Sequence, residues 1–117
     1  MTINVSAFTG SAVIDTTEWS LTGNAAGPLE ESSDGVYQAF VDLANMQVGD
    51  TYAVRVYEEV LNSAGAQRLV FEAEYSGVQA TPIRPTPPLF LGIGWDVTVQ
   101  KIAGTDRLID WRIAASE

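Results

Sequence analysis

The chain has 117 residues, of which 46% are hydrophobic and 18% are charged, and it contains neither Cys nor His. This length and balance are typical of one globular domain, spanning residues 1–117, with a single core. Without Cys there are no disulfides, zinc–thiolate sites or thiol nucleophiles, and without His the commonest general base and transition-metal ligand is missing. We therefore expect a protein that is not an enzyme.

The net charge of −9 is unevenly distributed along the chain. Residues 1–54 contain seven acids and no Lys or Arg, whereas residues 55–117 contain eight acids and six bases. Binding to nucleic acid requires a basic surface that displaces counterions from phosphates, so we predict no nucleic-acid partner and, for the same reason, no anionic membrane partner. The N-terminal residues lack a positive segment followed by an apolar run, and no run of about 18 apolar residues occurs, so neither a signal peptide nor a membrane span is predicted.

Strand patterns begin in the N-terminal half of the chain. Short strands are predicted around Ser11–Ile14 and Trp19–Leu21, and a longer strand is predicted over Gly35–Leu43. Phe40 lies on the outer face of the longer strand, where either a second cover buries it or it forms a contact surface. Trp19 fits core packing and an interface equally well. The inward residues of the longer strand are Tyr37, Ala39, Val41 and Leu43.

A β-hairpin is predicted next, with a turn at 62–66. On its outer faces, Arg55 and Glu59 on the first arm and Arg68 and Glu72 on the second are candidates for cross-strand ion pairs. The inward residues are Tyr52, Val54 and Val56 on the first arm and Leu69, Phe71, Ala73 and Tyr75 on the second.

A proline-rich segment, 81–88, follows this hairpin. The spacing of Pro85 and Pro88 meets the minimal polyproline-recognition pattern, but a rigid connection that blocks edge pairing is the favoured interpretation. The run Leu89–Leu91 that comes next is apolar on both faces. A strand of that kind is covered on both sides, so a second cover by another subunit or by a partner is predicted.

Two strands with regular alternation lie near the C-terminus. We predict that they form a hairpin through a three-residue loop at 104–106, because facing residues of an antiparallel pair lie on the same side of the sheet. This register places Val99 opposite Trp111 and Val97 opposite Ile113. The buried faces are Trp95, Val97 and Val99 on the first strand and Ile109, Trp111 and Ile113 on the second.

These elements add up to about seven short strands. They predict an all-β, single-domain antiparallel β-sandwich, either jelly-roll-like or immunoglobulin-like. Such a domain uses its strands to form one core and leaves little room for the deep cleft of a glycosidase, although fifteen acids make chance carboxylate pairs inevitable. A small hydrolase is therefore the least favoured function.

The sequence contains candidate residues for two further kinds of site. The loop with Glu30, Glu31 and Asp34 is rich in oxygen ligands, but its spacing matches no established calcium loop, and a solvated acidic loop is preferred. We therefore predict no metal site and no cofactor. A carbohydrate-binding module stays open as an alternative, because rings exposed in a row on a sheet stack on sugars, and Trp19 is the ring without an assigned place.

Four stretches of the sequence carry a resemblance to a known group of proteins. They are Thr9-Gly10-Ser11 through Ser20-Leu21, Asp34-Gly35-Val36-Tyr37-Gln38, Val48-Gly49-Asp50 with Val56-Tyr57-Glu58, and Thr86-Pro87-Pro88 through Gly94-Trp95-Asp96-Val97. Together they resemble small structural proteins of tailed bacteriophages, with the best match to capsid decoration, or cement, proteins. The resemblance implies a β-rich domain on the outer capsid surface of the virion, made in the host cytoplasm, that binds the major capsid protein and bridges capsomers, often as a homotrimer. A head–tail connector or tail component is the alternative in the same particle.

Under this interpretation, a small set of apolar residues makes the contacts to other subunits or to the capsid. The predicted interface residues are Trp19, Phe40, Pro87, Pro88, Leu89, Phe90 and Leu91.

Overall fold

The computed structural model describes residues 2–61 and 66–116. These residues form ten β-strands and no helix. The sequence pattern predicted about seven strands and did not predict those at 25–26 and 83–85, which are only two and three residues long. The strands are β1 (Ile3–Ile14), β2 (Trp19–Ser20), β3 (Ala25–Ala26), β4 (Gly35–Asp42), β5 (Thr51–Glu58), β6 (Arg68–Ser76), β7 (Ile83–Pro85), β8 (Leu89–Leu91), β9 (Asp96–Ala103) and β10 (Arg107–Ser116).

The strands form two five-stranded sheets whose pairings are all antiparallel. Sheet A has the order β1-β10-β4-β7, with β8 also paired to β4, and sheet B has the order β3-β2-β9-β5-β6. The chain passes back and forth between the sheets, and its first strand pairs with its last. This is the jelly-roll arrangement of a β-sandwich, whereas an immunoglobulin-like domain pairs its first strand with its second.

The predicted C-terminal hairpin is wrong. The two strands lie in opposite sheets, where Val99 pairs with Val54 of β5 and Trp111 pairs with Val41 of β4. Alternation identifies which face of a strand is buried but not its neighbour, because strands that face each other across a core have the same pattern as strands that lie side by side. The turn at 104–106 therefore carries the chain from one sheet to the other.

The hairpin of β5 and β6 is confirmed. Arg55 lies opposite Glu72, and its Nε is 2.6 Å from the Glu72 carboxylate. Arg68 lies opposite Glu58 rather than Glu59. The predicted turn at 62–66 falls mostly on 62–65, which lie outside the described residues. The pairing forms readily because its arms are adjacent in sequence and alternate regularly.

The core lies between the two sheets. All four inward residues predicted for β4 are buried, as are both Trp95 and Trp111. The Trp95 ring lies 4.3 Å from the ring of Tyr37, centroid to centroid, and its Nε1 donates to the Ser33 carbonyl at 2.7 Å. Trp111 Nε1 donates to the Leu21 carbonyl at 3.0 Å. Each indole therefore fills the core while its single N–H group, Nε1, is hydrogen-bonded to a backbone carbonyl.

A buried carboxylate joins the turn before β5 to the turn between β9 and β10. Asp50 accepts hydrogen bonds from Arg107 Nε at 2.8 Å, from the Thr105 amide at 2.9 Å and from the Gln47 amide at 2.8 Å. The hydrogen bond from Arg107 is the main cause that lowers the pKa of Asp50 to about 2. This cluster fixes the end of the sandwich where the chain crosses between sheets.

Candidate contact surface

The outer face of sheet B carries a connected polar network. Glu18 lies at its centre, where one carboxylate oxygen accepts from the Tyr57 hydroxyl at 2.6 Å and from the Thr98 hydroxyl at 2.5 Å. The same oxygen is 3.5 Å from Arg55 Nη1. Arg55 then bonds outward to Glu72 and, at 2.6 Å, to the side-chain oxygen of Gln100. Glu18, Arg55 and Glu72 are therefore joined in one network within the chain.

The burial of Tyr57 in this network changes its acidity. Burial, followed by its hydrogen bond to Glu18, raises the pKa of Tyr57 to about 12. The phenol consequently stays protonated and acts as a donor throughout the neutral range.

A second buried carboxylate holds the loop that leads from β2 past β3. Asp96 accepts from the Leu29 amide at 2.7 Å, from the Thr22 hydroxyl at 2.8 Å and from the Val97 amide at 2.9 Å. Burial raises the pKa of Asp96, and these hydrogen bonds oppose that rise. These bonds join Leu29 and Thr22 of the loop to the start of β9 and so hold the loop in place.

The outer face of sheet A is different in kind, because it presents exposed apolar side chains beside Asp42, Asp110 and Arg112. Phe90 of β8 is 87% exposed and pairs with Val36 of β4. Farther along β4, Phe40 pairs with Pro85 of β7, and the neighbouring Ile83 is 55% exposed. We name this surface the apolar face and define it by Ile3, Val36, Phe40, Ile83, Pro85 and Phe90.

The apolar face borders three depressions. One, of about 410 Å³, is lined by Val36 and Phe90 together with Asp34 and Glu58. Another, of about 340 Å³, is lined by Phe40 and Ile83 together with Asp42, Asp110 and Arg112. The Arg112 guanidinium lies over the Phe40 ring at 4.0 Å from its centroid, a cation–π contact that leaves Phe40 half-buried. The third depression, of about 170 Å³, is lined by Ile3 and Val36. All three are open to solvent, a shape that suits contact with another protein surface better than burial of a small molecule.

The predicted interface residues are divided by the fold. Phe40 and Phe90 lie on the same face, four positions apart along β4 or about 14 Å, and Pro87 and Pro88 are exposed in the connection that leads to Phe90. Leu91 is buried and Leu89 is half-buried against the core, so Phe90 alone of this run points outward.

Trp19 lies on the other side of the sandwich, in sheet B. It is half-buried, packs against the core, and its Nε1 donates to the side-chain oxygen of Asn24 at 2.9 Å. It therefore does not share a surface with Phe40 and Phe90.

Some residues of the apolar face were missed by sequence reasoning. Ile83 and Pro85 were assigned to a connection because prolines flank them, although prolines are tolerated in edge strands such as β7. The one sequence feature that could have indicated this strand is Ile83, a single apolar residue between Pro82 and Arg84.

The Glu18 network could not be recognised from any local sequence pattern, because its members are far apart in the sequence.

No protein-family model and no curated protein matches the chain. Among solved structures, the chain is similar to one described as the structure of Eiger TNF from S. frugiperda, with 15% sequence identity over 98% of this chain and 89% of that chain, at a TM-score of 0.46. A likeness at this score supports no argument about function. The fold stands on the strand pairing described above.

Two further observations concern residues 2–61 and 66–116. They include no helix of the length and hydropathy needed to cross a bilayer. Within the same residues, no three carboxylates come together in a group that is placed to hold a metal ion. Glu30, Glu31 and Asp34 accordingly form no such group.

Proposed function

We propose that this protein is a capsid decoration protein, which binds the major capsid protein on the outer surface of a virion through the apolar face of sheet A. The observation that carries the proposal is the exposure of Phe90, 87% in the single chain, on a face that continues through Val36 to Phe40 and Ile83. Exposed apolar side chains grouped on one face are typical of a protein–protein contact.

The opposite face supports the same orientation. The network around Glu18 has its hydrogen bonds satisfied within the chain, so this face is stable in water without a partner. Together with the net charge of −9, it suits the side of the domain that faces solvent. The strand Leu89–Leu91 was predicted to be covered on its outer side by another subunit or by a partner. In this proposal the capsid surface provides that cover by packing on Phe90.

We propose that each copy binds the capsid weakly and that the stabilisation of the shell comes from the large number of copies. Burying one phenylalanine side chain contributes about 2 kcal/mol, so a face with two of them supports a modest affinity for each copy. Many copies that bridge capsomers together hold the shell much more firmly than any single contact does. The homotrimer that the resemblance implies stays a prediction.

The composition of purified particles tests the placement in the virion. Quantitative mass spectrometry is expected to give roughly hundreds of copies per particle, in a simple ratio to the major capsid protein. Roughly six or twelve copies would instead assign the protein to the head–tail connector or the tail. Absence from the particle contradicts the virion assignment.

Rebinding to shells that lack the protein tests the face itself. Phe90→Ser is expected to abolish rebinding, whereas Val48→Ser is expected to bind as the unmodified chain does. Val48 is the matched control because it is 88% exposed and lies in the turn between β4 and β5, outside the apolar face. Equal rebinding of the two variants would show that the apolar face is not the contact surface.

Carbohydrate binding is not favoured by any observation. Trp95 and Trp111 are buried, and Trp19 is half-buried with its Nε1 engaged by Asn24. A row of exposed rings, which sugar stacking needs, is not present in the described parts of the chain. Binding to a glycan panel that is lost on Trp19→Ala would revive this alternative.

A further inference from the structure

Two carboxylates lie directly opposite each other on the outer face of sheet A. Asp110 of β10 pairs with Asp42 of β4, and the same row continues to Ser11 of β1 on one side and to Ile83 of β7 on the other. Side chains directly opposite in an antiparallel pair have Cβ atoms about 4.5–5.5 Å apart, and like charges in this arrangement repel each other. The two carboxylates are therefore an unfavourable pair in the free chain.

No basic side chain forms an ion pair with these carboxylates within residues 2–61 and 66–116. The ion pairs in that part of the chain all involve other acids. Asp110 instead accepts a hydrogen bond from the Ser11 hydroxyl at 2.6 Å, and Asp42 accepts one from the Ala44 amide at 3.0 Å. Because both donors are neutral, they orient the carboxylates without balancing their charge.

The basic residue closest to the pair along the strands is Arg112, two positions from Asp110 on β10. Its guanidinium lies over the Phe40 ring, and its Nη1 donates to the Val5 carbonyl at 2.9 Å. These contacts hold Arg112 in the neighbouring row of side chains, where it pairs with Phe40. An approaching cation is therefore repelled from the row of Arg112 and attracted to the row of Asp110.

The carboxylate pair lines the open depression of about 340 Å³, in which three of the other lining residues are apolar. These are Phe40, Ile83 and Trp111. Ile83 is 55% exposed and lies directly opposite Asp42. A side chain with a long apolar stem and a cationic end matches this arrangement, because its stem can pack on the apolar residues while its charge reaches the carboxylates.

We infer that this depression receives a lysine side chain of the partner protein, with the ammonium group between Asp42 and Asp110. The inference rests on the proposed function, so the lysine belongs to the major capsid protein. An ammonium group has three donors around one point and can reach two separate carboxylates, whereas the fork of a guanidinium matches a single carboxylate. Binding also removes the repulsion within the pair, so the pair favours the bound state.

Rebinding to shells that lack the protein, measured at several salt concentrations, is the first test. Asp42→Asn and Asp110→Asn each remove one negative charge and keep a side-chain oxygen that can accept the existing hydrogen bond. Each is expected to weaken rebinding by about tenfold and to reduce its dependence on salt. Glu74→Gln is the matched control, because it removes the same charge from an exposed position on β6 of sheet B, and it is expected to rebind as the unmodified chain does.

The stability of the free variants separates a role in binding from a structural role. Because each Asn variant relieves the repulsion between the carboxylates, both variants are expected to melt at no lower temperature than the unmodified chain when shells are absent. Weaker rebinding that is accompanied by a lower melting temperature would assign the carboxylates a structural role and overturn the inference.

A crosslink identifies the partner residue. A carbodiimide activates a carboxylate and couples it to an amine in contact with it. On shells that carry the protein, we expect an amide link from Asp42 or Asp110 to a lysine of the major capsid protein, detected by mass spectrometry of the digested particles. The link should be missing when both carboxylates are replaced by Asn.

Two further results would contradict the inference. They are rebinding of both Asn variants at the level of Glu74→Gln, and the absence of a link to a capsid lysine. If Phe90→Ser still abolishes rebinding in either case, the proposed function stands and only the inference about lysine fails. If the unmodified chain does not rebind at all, the proposed function fails and the inference fails with it.

Discussion

The outer faces of the two sheets differ in how their side chains are satisfied. On sheet B, Glu18 and Arg55 are each held by several partners within the chain. On sheet A, Phe90 and Ile83 extend into solvent and contact little of their own domain. The side chains of sheet B therefore contribute to folding, whereas the exposed side chains of sheet A contribute little until a partner covers them.

The largest expected effect is on sheet B. Glu18→Ala leaves the hydroxyls of Tyr57 and Thr98 without their acceptor and removes the carboxylate that lies 3.5 Å from Arg55 Nη1, in a partly buried site. We expect the free energy of unfolding to fall by about 3 kcal/mol, as measured by urea denaturation. Phe90→Ala is the comparison on the other face, and an equal loss in the two variants would remove the distinction between the faces.

The same network is expected to give sheet B a dependence on alkaline pH. The pKa of Tyr57 is raised from 10.0 when unfolded to about 12 when folded, mainly by burial and then by Glu18. Folding therefore favours the protonated phenol, and this stabilisation is present below pH 10 and is lost as pH rises from about 10 to about 12. Thermal unfolding across that range should show the loss.

The control for this prediction is Tyr57→Phe. Burial also raises the pKa of Tyr52, so the unmodified chain reports more than one phenol. The difference in stability between the unmodified chain and Tyr57→Phe isolates the contribution of Tyr57. A difference that stays constant from pH 10 to 12 would contradict the assignment.

A smaller effect is expected at the one cation–π contact on the apolar face. Phe40→Ala removes the ring beneath the Arg112 guanidinium and should lower the free energy of unfolding by about 1 kcal/mol. Phe40→Leu keeps most of the apolar contact but not the π face, so it separates packing from the cation–π contribution. Equal losses in the two variants would show that the contribution comes from the π face.

Local patterns predicted the parts of the fold that depend on neighbours in sequence. The inward residues of β4 and the hairpin of β5 and β6 follow from alternation and a nearby turn. The partners of β9 and β10 do not, because alternation is the same whether two strands lie side by side or face each other across a core. Pairings between distant segments are set by how the whole chain packs.

The features of the candidate contact surface also separate into those that local sequence predicts and those that it does not. The exposure of Phe90 follows from Leu89 and Leu91, because if these two face the core, the residue between them must point outward. The Glu18 network could not be predicted, since Tyr57 and Thr98 come to it from strands far away in the sequence. Ile83 was missed because a three-residue strand beside prolines resembles a connection.

The smallest expected effect on stability, and the sharpest test of the comparison, is at Phe90. Because its side chain is 87% exposed, Phe90→Ser should change the free energy of unfolding by no more than about 0.5 kcal/mol. Glu18→Ala is expected to do the reverse, lowering the free energy of unfolding while leaving the apolar face intact. Binding to shells, measured on both variants at a temperature where both are folded, separates a side chain that stabilises its own domain from one that acts only in contact with another protein.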